Sequence, residues 1–221
     1  MKDLESFPKF DEQNAEGLNL KTFISYSLNT KKMKLHEGKT FTRVNYANKQ
    51  LVNNEFSNCA FVECDFTKSN FSGIDFVDCE FESCNFSLTV LSHSGIKDVH
   101  FKDCKIVGVD FSACNEFLFS VRFTDCNLDY ATFHSKNMKN TLFTNSVIKE
   151  VDFTEADLSQ SKFINCDLTR SIFDRTVLDK VDFSTAVNFE INPERNRIKK
   201  TIFSTNGLLG LLTKYDLVIK D

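Results

Sequence analysis

The sequence predicts an all-β solenoid of five-residue repeats, four to a coil, and three regularities carry that reading. A large apolar side chain stands at every fifth position from Phe41 to Phe111, fifteen times without a miss, and after a two-residue slip the beat resumes from Phe123 to Phe183. Period five matches neither a 3.6-residue helix nor a two-residue strand. A short fixed repeat is the mark of units that bury their apolar face only by stacking on neighbours. The position two before each large residue is small or compact, as at Cys59, Cys64, Ser69, Cys79, Thr89 and Ala156, with Val99, Val151 and Val181 among the larger exceptions. From Phe123 to Phe183 the large residues alternate strictly between Phe and an aliphatic side chain. An even number of repeats per coil therefore places Phe over Phe. Two per coil would enclose no side chains and six would leave a hole, so four fill the centre without voids, and residues twenty apart are expected to stack.

Three segments follow from this beat. Residues 1–38 do not keep it; they hold an amphipathic stretch, Leu18 to Leu28, and a basic cluster of Lys31, Lys32 and Lys34. Their expected role is to cover the first coil, because an uncapped solenoid end invites pairing with other chains; the alternative is that translation begins at Met33. Residues 39–190 form the body, in units such as Cys64-Asp65-Phe66-Thr67-Lys68, with three of five positions facing water. The slip at 112–122 brings in Phe117, Leu118 and Phe119. It predicts a bulged corner or a short protruding loop, either absorbed in the wall or serving as a contact. Residues 191–221 change character. Asn192-Pro193 interrupts the wall, Ile198, Phe203 and Leu208 return on the beat, and Asn206 is placed to cap a short helix over Gly207–Tyr215. Leu208, Leu209, Leu211, Leu212 and Tyr215 would share one apolar face of that helix, followed by a strand from Leu217 to Ile219.

Composition excludes several classes of function. The 221 residues include 24 Phe and no Trp, and most of the Phe are repeat centres, so the aromatic excess is core rather than a ligand box. All eight Cys fall on the small position, Cys114 by carrying the first register through the slip; there is no C-x-x-C, so the spacing is the repeat period and not a metal signature. Stacked pairs such as Cys59 and Cys79 would lie about 4.8 Å apart, within disulfide reach. The absence of a signal peptide argues for a reducing cytoplasm and free buried thiols. His36, His93, His100 and His134 share no metal-binding spacing, and His100 reads as a solvated side chain. No stretch approaches the ~18 apolar residues of a membrane span. With buried positions apolar or small, nothing is left for a catalytic pocket, so neither an enzyme nor a bound cofactor is expected.

These repeats resemble the pentapeptide-repeat family, whose pattern is A-(D/N)-L-x-x with Phe as the frequent alternative at the centre. The likeness covers roughly residues 39–190. It implies a right-handed quadrilateral β-helix with four repeats per coil, in agreement with the four-wall argument. The ending Gly207-Leu-Leu-Gly-Leu-Leu-Thr-Lys-Tyr-Asp-Leu-Val-Ile219 is similar to that of the Qnr-type members, in which a leucine-rich helix and a Val/Ile-rich strand cap the last coil and form a homodimer. By that resemblance Leu208, Leu209, Leu211, Leu212, Tyr215, Leu217 and Ile219 would be the dimer interface; a cap without dimerisation is the alternative.

Charge is segregated. Residues 51–190 carry 22 Asp and Glu against 12 Lys and Arg, a net of −10 within a chain of net −4. Glu55, Glu63, Asp65, Asp75, Asp78, Glu80 and Glu82 face a single basic residue, Lys68, and all seven stand on outward positions. A rod with an acidic wall repels nucleic acid and attracts basic grooves, which disfavours direct DNA binding. The Qnr resemblance implies a cytoplasmic DNA mimic that binds DNA gyrase or topoisomerase IV and counters quinolones or related poisons. Glu63, Asp65, Asp75, Asp78, Glu80 and Glu82 would then be the contact face. No insertion in this chain is long enough to form the projecting loops of the enterobacterial Qnr proteins. The alternative function is a scaffolding solenoid with another protein partner.

Overall fold

A computed structural model describes residues 33–117, 119–215 and 217–218, so the expectation for residues 1–32 lies outside the described residues. Eleven strands of three or four residues run parallel to their neighbours. One wall is formed by β1 (Lys34–Glu37), β3 (Asn54–Ser57), β5 (Asp75–Val77) and β7 (Gly95–Lys97). The adjoining wall contains β2 (Thr40–Thr42), β4 (Ala60–Val62), β6 (Glu80–Glu82), β8 (Val99–Lys102), β9 (Val121–Thr124), β10 (Leu142–Thr144) and β11 (Lys162–Ile164). The other two walls are held by single-residue bridges, such as Asn45 to Asp65 and Gln50 to Asn70. The register step is twenty residues, Phe61 to Phe81 to Phe101 and Phe143 to Phe163. The chain is thus a four-walled parallel β-solenoid.

The core follows from the alternation of centres. Phe61 and Phe81 stack with centroids 4.6 Å apart, Phe143 and Phe163 likewise at 4.6 Å, and Phe133 and Phe153 at 5.4 Å. Rings on opposite walls meet edge to face, as Phe143 and Phe153 do at 86°. Both geometries are favoured by the ring quadrupole. Pairing begins earlier than position 39, because His36 occupies a centre and pairs with Phe56. It also continues past position 190, since Arg197 bridges to Val177 and Phe203 stacks on Phe183 at 5.7 Å.

Position by position, backbone chemistry explains the repeat. The residue two after nearly every centre lies at positive φ, from Arg43 (53°) to Lys200 (58°), with Ala113 after Phe111 and Thr185 after Phe183 as exceptions; this conformation costs ~1–2 kcal/mol for a side chain other than glycine. The corner survives because its N–H is bonded to the next coil, as Asn48 N–H is to the Thr67 carbonyl at 2.9 Å. An Asp or Asn before the centre accepts the N–H two residues on, at Asp65, Asn85, Asn127 and Asp157. This local turn is one that Asx side chains favour. The small position does more than save space. Cys79, Thr89, Ser94, Cys104 and Thr176 each donate to a centre's carbonyl in the preceding coil. A compact donor is needed there, which accounts for Cys, Ser and Thr together. All eight cysteines are free and buried. Burial pushes Cys79 and Cys166 up to about 11 and Cys114 up to about 12, so these thiols stay protonated and unreactive.

At the slip the register step changes from 20 to 22, Val99 pairing with Val121. Phe117 projects into solvent at 79% exposure while Phe119 turns inward, edge-on to Phe111 at 6.2 Å. Part of the insertion is therefore absorbed and part protrudes. Lys136, at the small position before Met138, fills the remaining space and is buried.

Two expectations at the C-terminus are corrected. The predicted helix is a 3-10 turn over Asn206–Leu211 followed by another over Thr213–Tyr215, and Thr205, not Asn206, stands at the N-cap. With three residues per turn, Gly207 and Gly210 share a side and press on Phe189. A Cβ at Gly210 would sit 2.2 Å from the Phe189 carbonyl oxygen. Glycine is what faces the last coil, so Leu208, Leu209, Leu212 and Tyr215 point outward and Leu211 alone of the predicted face is half-buried against the core. Leu217 and Val218 are exposed and form no strand; Ile219 lies outside the described residues.

Candidate functional site

The six acidic residues singled out by sequence do not share one wall. Asp75 lies on β5, Glu80 and Glu82 on β6, and Asp78 on the corner between them. Glu63 occupies the next corner, and Asp65 belongs to the bridged wall beyond. Their chemistry differs as well. Asp65 accepts the Thr67 N–H at 3.0 Å and its hydroxyl at 2.6 Å, so it shapes its own turn. Asp75 Oδ1 accepts the N–H of Gly95 at 2.9 Å across coils, an approach that a Cβ at residue 95 would block. Glu63 pairs with Arg43 and Glu82 with Lys102, each at 2.6 Å.

That leaves Asp78 and Glu80, and the structure adds Asp98, which sequence reasoning missed because it lies one coil away. These three line a surface depression of about 230 Å³ with His100 and Arg122. His100 Nδ1 is 3.7 Å from Glu80 Oε1, and its Nε2 is 3.1 Å from the Thr124 hydroxyl. Burial, reinforced by Arg122, pulls the His100 pKa below its ordinary value, so at neutral pH it does not cancel Glu80. Three carboxylates face one guanidinium.

Beyond this region many of the acids are paired, although Asp129, Asp152, Asp182 and Glu190 have no basic partner among the described residues. In the second half of the body Lys139 pairs with Asp157 at 3.2 Å, Lys149 with Asp167 at 3.0 Å and Arg175 with Glu155 at 2.8 Å; Arg170 pairs with Glu150, Arg195 with Asp174 and Arg197 with Asp179. Most join residues about one coil apart. Asp78, Asp98, Asp103 and Asp125 have no basic partner among the described residues. The corners flanking β6, β8 and β9 thus carry a group of acids without Lys or Arg partners. No group of three His, Cys, Asp or Glu suited to a metal ion occurs among the described residues, and no helix among them is long and apolar enough to cross a membrane.

The predicted dimer face is exposed in large part. Leu208, Leu209, Tyr215 and Leu217 are each close to half exposed and Val218 is 87% exposed. Tyr215 donates its hydroxyl to Glu194 at 3.2 Å and Lys214 pairs with Glu194 at 2.6 Å, which holds the second 3-10 turn against the preceding coil.

A four-walled solenoid with a twenty-residue step and a Phe-filled interior defines a repeat protein. The family model described as "Pentapeptide repeat region" matches residues 54–116, 74–153 and 116–186. The chain belongs to the pentapeptide-repeat family. Among solved structures it is similar to a trypsin-treated form of QnrB1, a plasmid-mediated fluoroquinolone resistance protein, with a TM-score of 0.55 at 15% identity over 85% of this chain and 99% of that one. HetL, a pentapeptide repeat protein involved in heterocyst differentiation regulation from the cyanobacterium Nostoc, gives 0.36 at 12% identity over 83% and 92%. Rfr23 from the cyanobacterium Cyanothece gives 0.33 at 14% over 70% and 99%. At such identities the likeness is one of fold. No curated protein matches the chain.

Proposed function

We propose that this protein is a non-enzymatic interaction module whose acidic corner stands in for DNA phosphates on a type II topoisomerase, DNA gyrase or topoisomerase IV, and shields that enzyme from quinolones or related poisons in the cytoplasm. The observation that carries the reading is the cluster of Asp78, Glu80 and Asp98, none of them paired with Lys or Arg and continued by Asp103 and Asp125, beside a second half of the body in which pairing with Lys and Arg is denser. Fold likeness to a fluoroquinolone resistance protein supports it. Seven parallel strands on one wall, at ~4.8 Å each, give a rod of roughly 34 Å, and duplex DNA of that length carries about 20 phosphates. The body's net of −10 is smaller, so local concentration has to provide the mimicry. The exposed leucines of the C-terminal turns serve as the contact between two copies.

Affinity for gyrase measured across a salt series tests this. The triple variant Asp78→Lys, Glu80→Lys and Asp98→Lys should lose binding with its fold intact. Native binding should weaken steeply with salt, since exposed charges are screened beyond ~10 Å at 0.1 M. Equal, salt-insensitive affinities reject mimicry. If neither protein binds, the second reading stands, a scaffold for another protein, and exposed Phe117 is its anchor. For the dimer, Leu212→Glu should halve the sedimenting mass; a folded variant of unchanged mass, or a monomeric native protein, removes that interface.

A further inference from the structure

We propose that the corner between the β5 and β6 walls is a docking surface for a second copy of this chain, laid antiparallel along it. Down successive coils that corner carries Asp78, Asp98, Ser120, Asn140, Gln160, Lys180 and Lys200, all of them exposed. The ladder bonds fix the spacing: Asp78 N–H meets the Lys97 carbonyl, Val99 N–H that of Ser120, Asn140 N–H that of Ser159 and Lys180 N–H that of Lys199. Two acids, three uncharged polar residues and two lysines therefore stand one coil apart, and the charge reverses about Asn140. A twofold axis through Asn140 sets Asp78 against Lys200 of the second copy and Asp98 against its Lys180, with Ser120 facing Gln160. Such a contact is isologous and closes at two copies. A parallel arrangement would set acid against acid, which costs affinity.

Opposite charges on this corner cannot cancel within one chain. On each of the other three corners an arginine sits one coil from an acid and pairs with it, as Arg43 does with Glu63, Arg170 with Glu150 and Arg175 with Glu155. Here Asp98 and Lys180 are four coils apart, roughly 19 Å at ~4.8 Å per coil, beyond the ~10 Å screening length at 0.1 M salt. None of Asp78, Asp98, Lys180 and Lys200 has an ion-pair partner among the described residues. Asp98 accepts the Ser120 hydroxyl at 2.9 Å, which steadies it on the corner. The axis also brings Arg122 opposite Lys162 on the flanking wall, and each has a carboxylate close by, Asp98 and Asp182, that offsets the repulsion. Lys139, opposite its own copy, is paired with Asp157. Exposed ion pairs are individually weak and a ridge of ~29 Å is a small contact, so the association is of the transient class. It is independent of which protein the acidic corner serves, but it covers Asp78 and Asp98, so self-association competes with that partner.

Cross-linking of the full-length protein carrying Asn140→Cys, with a short bismaleimide, tests the geometry. The eight native cysteines are buried, so residue 140 is the site that reacts, and the axis places it beside its copy. Dimer should form in dilute buffer and disappear in about 1 M salt, where screening acts within ~3 Å. Lys180→Glu with Lys200→Glu makes the corner wholly acidic, and Asp78→Lys with Asp98→Lys makes it wholly basic. Each of these proteins alone should lose the dimer, and a mixture of the two should regain it as a heterodimer. No topoisomerase enters the assay, so its outcome is separate from the binding test above. Absence of native dimer, dimer undiminished in either reversed protein, or a mixture that stays monomeric overturns the proposal. If Asn140→Cys does not fold, Ser120→Cys mixed with Gln160→Cys reads the same register, and a mixture that gives no more dimer than either protein alone likewise overturns it.

Discussion

Replacing Lys136 by Met tests how the solenoid absorbs its two-residue slip. Gly73 N–H bonds the Ser92 carbonyl, but one coil later His93 N–H bonds Ala113 in place of Ser112. The displaced Ser112 carbonyl is met instead by the Lys136 ammonium at 3.3 Å, which also donates to the Cys114 carbonyl and lies 5.1 Å from the Phe119 ring centre. Met keeps most of the aliphatic stem and removes the donor. Leaving the buried Cys114 carbonyl and the part-buried Ser112 carbonyl unpaired costs up to ~1–3 kcal/mol each, part of which is offset because a buried ammonium is no longer desolvated. A net loss of about 2–4 kcal/mol corresponds to a fall in Tm of roughly 5–15 °C for a domain of this size. Melting followed by circular dichroism measures it. A pH series adds an independent signature. Burial lowers the Lys136 pKa below its ordinary 10.5, so the unfolded chain holds the proton more firmly in the window beneath 10.5. Stability therefore rises as pH climbs through that window, and the Met variant should lose this increment. A Met variant that melts within a degree of the native protein refutes the role given to the ammonium.

Other parts of the fold are open to similar tests. Phe143→Ala, which removes a fully buried ring stacked at 5.3 and 4.6 Å, should cost ~3–5 kcal/mol in denaturant unfolding. Gly210→Ala puts a methyl against the Phe189 carbonyl; the expected loss is ~1–3 kcal/mol, and faster proteolysis beyond residue 205 would show the cap lifting. Asp167 is held at about 2: burial acts to raise it, but bonds from Thr169, Asn188 and Lys149 outweigh that effect. Because the folded pKa is below the ordinary 3.8, its contribution is complete above that value and is lost as pH falls toward 2. Asp167→Asn should flatten this part of an acid titration, and an unchanged acid limb would show the network to be idle.

Much of the molecule was legible in the chain because the burial of a solenoid residue depends on its place in its own repeat. The five-residue beat, the Phe alternation and the small position each report a wall, and the stacking of Phe61 on Phe81 was readable before any coordinate. His36 escaped notice because it is polar by type, although it serves as a stacked ring by shape. Lys136 breaks the small rule at the one place where the slip makes room for it. The C-terminal face was misplaced because an α-helical period was applied to a 3-10 turn, in which the glycines face inward. Charge was the least legible property. A run of acids close in sequence winds around two corners, while the bases that cancel Glu63, Asp157 and Asp167 come from coils above or below. Sequence by itself determined most of the buried side chains, His36 and Lys136 excepted, since repeat position settles burial locally. Only the tertiary structure decided which carboxylates remain unpaired, because ion pairing acts across coils, over a few ångströms in space and about twenty residues along the chain.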